Sequence, residues 1–202
     1  MVNENVLVKD KHRKKKKFSK WLLIVIIIGV ILAAVFFIGF FLREPVNQIT
    51  IENPLKNIVF SNTNEAGEVN KEAAIEQGIT EFNKDYIIYL LASLGTNNLH
   101  KSYAGHGPAK INLIIDDETW NAQINKGLSV NPQAIQDPDL IIKMSKQTAV
   151  EALLSSNIQG YLKSSVGNGN TKLELVAGKI ELASKGYLSM YSQLTGEEIQ
   201  VE

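Results

Sequence analysis

The sequence predicts an α+β domain carried behind one membrane-spanning helix, and three observations point there. Between Trp21 and Leu42 the chain reads WLLIVIIIGVILAAVFFIGFFL, with no charged, Asn, Gln or Pro side chain. From Lys110 to Asn125 apolar residues alternate with polar ones, the period of strands. On either side of that stretch apolar residues recur at intervals of three and four, the period of helices.

As a helix rising 1.5 Å per residue, the apolar run reaches roughly 33 Å, enough to cross a bilayer. Hydrocarbon offers no partner to a backbone amide, so a helix is the structure open to a single segment there. Charge sets the orientation. Residues 1–20 carry eight positive and two negative side chains, whereas residues 43–202 carry thirteen and nineteen. Lys9, Lys11, Arg13, the run Lys14–Lys17 and Lys20 resist translocation, so the N-terminus is expected in the cytoplasm and residues 43–202 outside it. Setting topology accounts for the Lys run, and no nucleic-acid partner is expected. A cleavable signal peptide has an apolar core of ~7–15 residues ending at small residues. Here the run continues past Ala33-Ala34 through Phe36, Phe37, Phe40 and Phe41, so an uncleaved signal-anchor is expected.

With no cysteine, the chain has neither disulfides nor thiolate chemistry. The outer part is long enough to bury a core as one domain without such staples. The expected organisation is a basic tail over 1–20, the spanning helix over 21–42, a linker over 43–69 and the domain over 70–202.

Residues 43–69 contain Pro45 and Pro54 and a cluster of Asn, Ser, Thr and Gly after Phe60, which reads as linker with a short extended piece at Gln48–Ile51. Asn70 is a plausible N-cap for an amphipathic helix running to a stop at Gly95, softened at Gly78, with Ala74, Ile75, Ile79, Phe82, Tyr86, Tyr89 and Leu90 on its apolar face. After a breaker-rich loop, Ile111, Leu113 and Ile115 share one strand face, as do Trp120, Ala122 and Ile124. Asp116-Asp117-Glu118 joins them into a hairpin whose Asn121, Gln123 and Asn125 side should be wet. Leu128–Val130 forms a short third strand, and a Pro-bounded loop leads to a fourth in which Leu140, Ile142 and Met144 alternate with Ile141 and Lys143. Ser145 caps a helix through Ser156, and a further helical turn or two follows Ile158. Gly167-Asn168-Gly169 breaks it before a strand with Leu173 and Leu175 inward. A closing helix carries Ile180, Ala183, Tyr187, Tyr191 and Leu194 as one stripe.

Within that order, INLIIDDETWNAQINKGLSV and DPDLIIKMSKQTAVEALLSS resemble the sterol carrier protein 2 family: a hairpin with an aromatic on its second strand, a turn ending in Gly, then an Asp-Pro-Asp start into a strand and helix. Asp137-Pro138-Asp139, Ile142, Met144-Ser145 and Leu153-Leu154 match that phrase, and the likeness extends more faintly over residues 72–195. The resemblance implies a curved, five-stranded, mostly antiparallel sheet with helices on one face. It also implies an apolar tunnel between the two layers for a fatty acyl chain or sterol. The Gly167-Asn168-Gly169 loop and the long closing helix depart from the family pattern.

Nothing in the chain calls for catalysis. There is no nucleophile elbow, phosphate loop, dinucleotide fingerprint or zinc-protease helix. His100 and His106 share a loop without further ligands, and Asp116, Asp117 and Glu118 read as turn chemistry. No catalytic residue, metal or cofactor is expected. What remains is apolar. Trp120, Tyr187, Met190 and Tyr191 lie on elements whose inner faces oppose each other, and Met beside aromatics makes an adaptable lining. Ile124, Leu140, Ile142, Leu153, Leu154 and Leu175 complete the expected lipid-binding set. Cores and apolar pockets use the same residue types, so the sequence leaves both open. The function expected is a membrane-anchored, single-pass lipid (sterol or fatty acyl) binding or transfer module. The alternative is a ligand-free structural or docking module of an envelope complex with the same fold, and protein partners are unknown.

Overall fold

Asn53 ties the start of the described residues to the helix layer. Its side-chain carbonyl accepts from the Leu55 amide at 2.9 Å while its amide donates to the Leu153 carbonyl at 3.3 Å. The computed structural model describes residues 52–199, all within one compact unit, Val46–Glu202. The expected spanning helix over 21–42, the basic tail and the extended piece at Gln48–Ile51 lie outside the described residues. Among the described residues no helix is long and apolar enough to cross a membrane.

The stretch read as linker is folded from Asn53 onward. Helix α1, Lys56–Ser61, follows Leu55, and Leu55 and Ile58 are 0% and 2% exposed. Two such side chains contribute roughly 1.5–3 kcal/mol each by leaving water. One turn and a half cannot display a helical period, and so short a helix stands by tertiary burial alone.

Asn70 caps α2, Lys71–Thr80, accepting from the Ala73 amide. The single helix expected up to Gly95 is two. Asn83 restarts the chain as α3, Lys84–Ser93, by accepting from the Asp85 amide at 2.8 Å. Gly78 is no break but a contact: a Cβ there would stand 2.7 Å from Val150 Cγ1. A short 3-10 turn, Thr96–Asn98, follows the left-handed Gly95.

Strands β1, Ala109–Ile115, and β2, Glu118–Ile124, form the expected hairpin, with Leu113 opposite Trp120 and Ile111 opposite Ala122. Strand β3, Leu128–Asn131, extends it antiparallel. Strand β4, Leu140–Met144, then lies beside β1 and parallel to it. Strand β5, Lys172–Leu175, pairs antiparallel with β4, giving the order β3-β2-β1-β4-β5. The sheet is therefore mixed rather than mostly antiparallel. The reason is the 132–139 connection, which crosses the strands and returns to β4 pointing the same way as β1.

That connection also covers the face expected to be wet. Asn112 exchanges two hydrogen bonds with Ile135, each 3.0 Å, and Asn121 donates to the Gln133 carbonyl at 2.8 Å. Asn112 and Asn121 sit opposite each other in the hairpin and both are buried. Their amides satisfy the backbone of a loop whose prolines at 132 and 138 hold it out of the ladder.

Helices α4, Lys146–Leu154, and α5, Ile158–Gly167, are capped by Ser145 and Asn157. The expected closing helix is divided into α6, Lys179–Ser184, and α7, Tyr187–Thr195. Gly186 between them has φ +89, and a Cβ on it would meet the Asn98 carbonyl oxygen at 2.7 Å. The division turns the expected stripe: Ile180 is 66% exposed, whereas Lys185 is 1% exposed. Ile111, Leu113, Ile115 and Ile142 of the sheet are fully buried in one core with Ile87, Leu90 and Leu91 of α3 and Val150 of α4.

Candidate functional site

The helix layer holds an open apolar cleft of about 430 Å³. Val59 of α1 and Val69, just ahead of α2, form one wall, and α2 adds Lys71 and Ile75. Helix α4 contributes Glu151 and Leu154, Ser155 follows at its end, and α5 contributes Tyr161. The volume lies in the range of small-molecule sites, ~300–1,000 Å³, and the lining follows their usual plan of apolar walls with a few placed polar groups.

Each wall is held by local chemistry. The Thr63–Val69 bridge and the Asn64 side chain, which accepts from the amides of Ala66 and Glu68, close the loop that presents Val69. The Asn70 cap starts α2 so that Ile75 falls on its inward side. Gly78 brings α2 against α4, one turn from Leu154. At the α4–α5 side the Tyr161 hydroxyl donates to Glu151 Oε2, and Gln147 donates to Glu151 Oε1 at 2.9 Å. Burial, reinforced by that carboxylate, pushes the Tyr161 hydroxyl up to about 12.

Of the ten residues expected to line a lipid site, Leu154 lines this cleft. Ile124, Leu140, Ile142, Leu153, Tyr187 and Met190 are 0–3% exposed within the core. Trp120 and Leu175 are half-buried against it, on the inner sheet face, and Tyr191 is half-buried on α7. The structure thus brings the sheet residues and the Tyr187–Met190 pair into one core, and it separates them from the open cleft. Val59, Val69, Ile75 and Tyr161 were missed: Val59 and Val69 belong to the stretch read as linker, Ile75 was read on the apolar face of its helix without a place in the lipid site, and Tyr161 falls in the turn or two after Ile158 that were given no role. The signal available was the Asn70 cap, which fixes the helix phase.

A second cluster lies beneath α6 and α7. Lys185 Nζ is 2.6 Å from Asp139 Oδ1 and 2.6 Å from Glu181 Oε1. Asp139 Oδ2 accepts from the Lys110 amide at 2.7 Å and from the Tyr187 hydroxyl at 3.2 Å. The hydrogen bond from Lys185 holds the Glu181 carboxyl below its usual range, and burial, with Asp139 beside it, pushes the Tyr187 hydroxyl well up. These groups are satisfied by one another, so they tie β1 and the start of β4 to the last two helices. His106 Nδ1 stands 3.9 Å from Glu181 Oε2, while the His100 ring packs at a tilt against Tyr103 with centroids 4.7 Å apart. The turn carboxylates hold α4: Asp116 accepts from the Lys146 amide at 3.2 Å, and Glu118 pairs with the Lys146 ammonium at 2.7 Å.

No protein-family description matches the chain, and no curated protein matches it in sequence. Among solved structures the chain is similar to the solution NMR structure of palmitated SCP2L2 from Aedes aegypti. The two are 14% identical with a TM-score of 0.29, over 57% of this chain and 96% of that one. At that distance the likeness carries no ligand or role across.

Proposed function

We propose that this chain is a membrane-anchored lipid-binding module whose acyl ligand lies in the helix-layer cleft. The observation that carries this reading is the cleft itself: an opening of about 430 Å³ lined by Val59, Val69, Ile75 and Leu154. Apolar surface left open in this way is stabilised by an apolar occupant. The anchor rests on the uncharged run from Trp21 to Leu42 and the Lys-rich segment before it, which would hold the domain beside a lipid source. The test is binding of a fluorescent fatty acid to the full chain in uncharged detergent, read by polarisation. Ile75→Trp fills the cleft and should weaken binding about tenfold or more, while Leu188→Trp on α7 should not.

The docking-module reading draws on one observation of its own. Leu140, Ile142, Tyr187 and Met190 are no more than 3% exposed, as side chains of a packed core are. Failure of any acyl probe to bind the full chain would favour it.

A further inference from the structure

The charged groups of the helix-layer cleft narrow its ligand, an inference that rests on the lipid-binding reading above. Glu151 lines the cleft with both carboxylate oxygens engaged by neutral donors, Gln147 and the Tyr161 hydroxyl. Neutral donors orient a carboxylate without cancelling its charge. Among the described residues no cation stands within ion-pair distance of Glu151, and no carboxylate within that distance of Lys71. The cleft therefore presents one anion and one cation that do not neutralise each other, in a lining that also holds Val59, Val69, Ile75 and Leu154.

We propose that the cleft takes a zwitterionic amphiphile, whose ammonium meets Glu151 beside the Tyr161 ring and whose phosphate meets Lys71. A carboxylate with an adjacent aromatic face is the usual surroundings of a bound ammonium, because both present negative potential to it. The Lys71 ammonium does the same for a phosphate. The hydrocarbon chain covers the apolar walls. A free fatty acid satisfies Lys71 alone and leaves Glu151 partly desolvated without a counter-charge, which costs binding energy. A neutral monoacylglycerol satisfies neither charge.

The test is native mass spectrometry of the full chain in uncharged maltoside micelles, titrated with lysophosphatidylcholine and with a fatty acid and a monoacylglycerol of the same chain length. Lysophosphatidylcholine should bind on the order of 10–100-fold more tightly than either, the range that a hydrogen-bonded phosphate at Lys71 and a coulombic and cation–π contact of the trimethylammonium at Glu151 and Tyr161 supply together. Glu151→Gln and Lys71→Gln should each lower the ratio of lysophosphatidylcholine to monoacylglycerol affinity about tenfold. Lys71 is exposed, so its substitution leaves the fold intact even if Glu151→Gln disturbs α4 and α5. Equal binding of the three probes, or a preference that survives both substitutions, overturns the zwitterion reading and leaves lipid binding standing. Binding of none overturns both.

Discussion

Lys185 and Asp139 form an ion pair of 2.6 Å with side chains 1% and 3% exposed, and each is fixed by further partners. Asp139 also accepts from the Lys110 amide and the Tyr187 hydroxyl, and its carbonyl accepts from Val176 and Ala177. One residue of the Asp-Pro-Asp segment thus joins β1, the end of β5 and the α6–α7 junction.

Removing one partner leaves an uncompensated buried charge. Lys185→Met should cost about 3–5 kcal/mol in urea unfolding of the full chain. The double variant Lys185→Met with Asp139→Asn should recover part of that loss, since no charge then stays buried. Additive losses in the double variant would show that the two residues are not coupled.

Gly186 should resist substitution. Its φ of +89 and the 2.7 Å approach of the Asn98 carbonyl oxygen to a Cβ position predict that Gly186→Ala costs roughly 1–3 kcal/mol. Gly167, at the end of α5 with open space around its Cβ position, should accept Ala at no cost or a slight gain. Equal thermal stability of the two variants would contradict the junction described for α6 and α7.

The loop over the outer sheet face depends on Asn112. Asn112→Ala removes both bonds to Ile135 and should cost about 1–3 kcal/mol, with faster amide exchange at Ile135. Unchanged exchange there would mean that the prolines alone hold the loop.

Tyr161 gives the cleft a pH signature. Its hydroxyl is raised from about 10 to about 12, so between those values the folded state holds a proton that the unfolded state has lost. The associated stability is fully present below pH 10 and falls away as pH rises through 12. Tyr161→Phe should therefore flatten the decline of stability over that window, and an identical slope in both proteins would contradict the raised hydroxyl, which burial and, after it, the Glu151 carboxylate produce.

The strand faces were legible because period two leaves no choice of phase. Ile111, Leu113 and Ile115 are fully buried, opposite Ala122 and beside Leu140 and Ile142, as their alternation implies. The Asn70 and Ser145 caps were legible for the same local reason. What local pattern could not carry was tertiary. Leu55 and Ile58 are core residues inside a Pro- and Asn-rich stretch, and the outer-face burial of Asn112 depends on a loop that arrives 23 residues later. Gly78 and Gly186 look alike in sequence; one admits Val150 and the other turns the chain. The cleft was hidden because its walls come from four separate segments, and no one of them is apolar enough to stand out.

Photo-crosslinking measures directly where an acyl chain lies on the domain. The full chain in uncharged micelles is irradiated with a fatty acid carrying a diazirine in its chain, digested and mapped by mass spectrometry. Adducts on peptides containing Val69–Ile75 and Glu151–Tyr161 are predicted. Adducts confined to Leu140–Ile142 and Tyr187–Tyr191, or none above the level seen with Ile75→Trp, would contradict an acyl ligand in the helix-layer cleft.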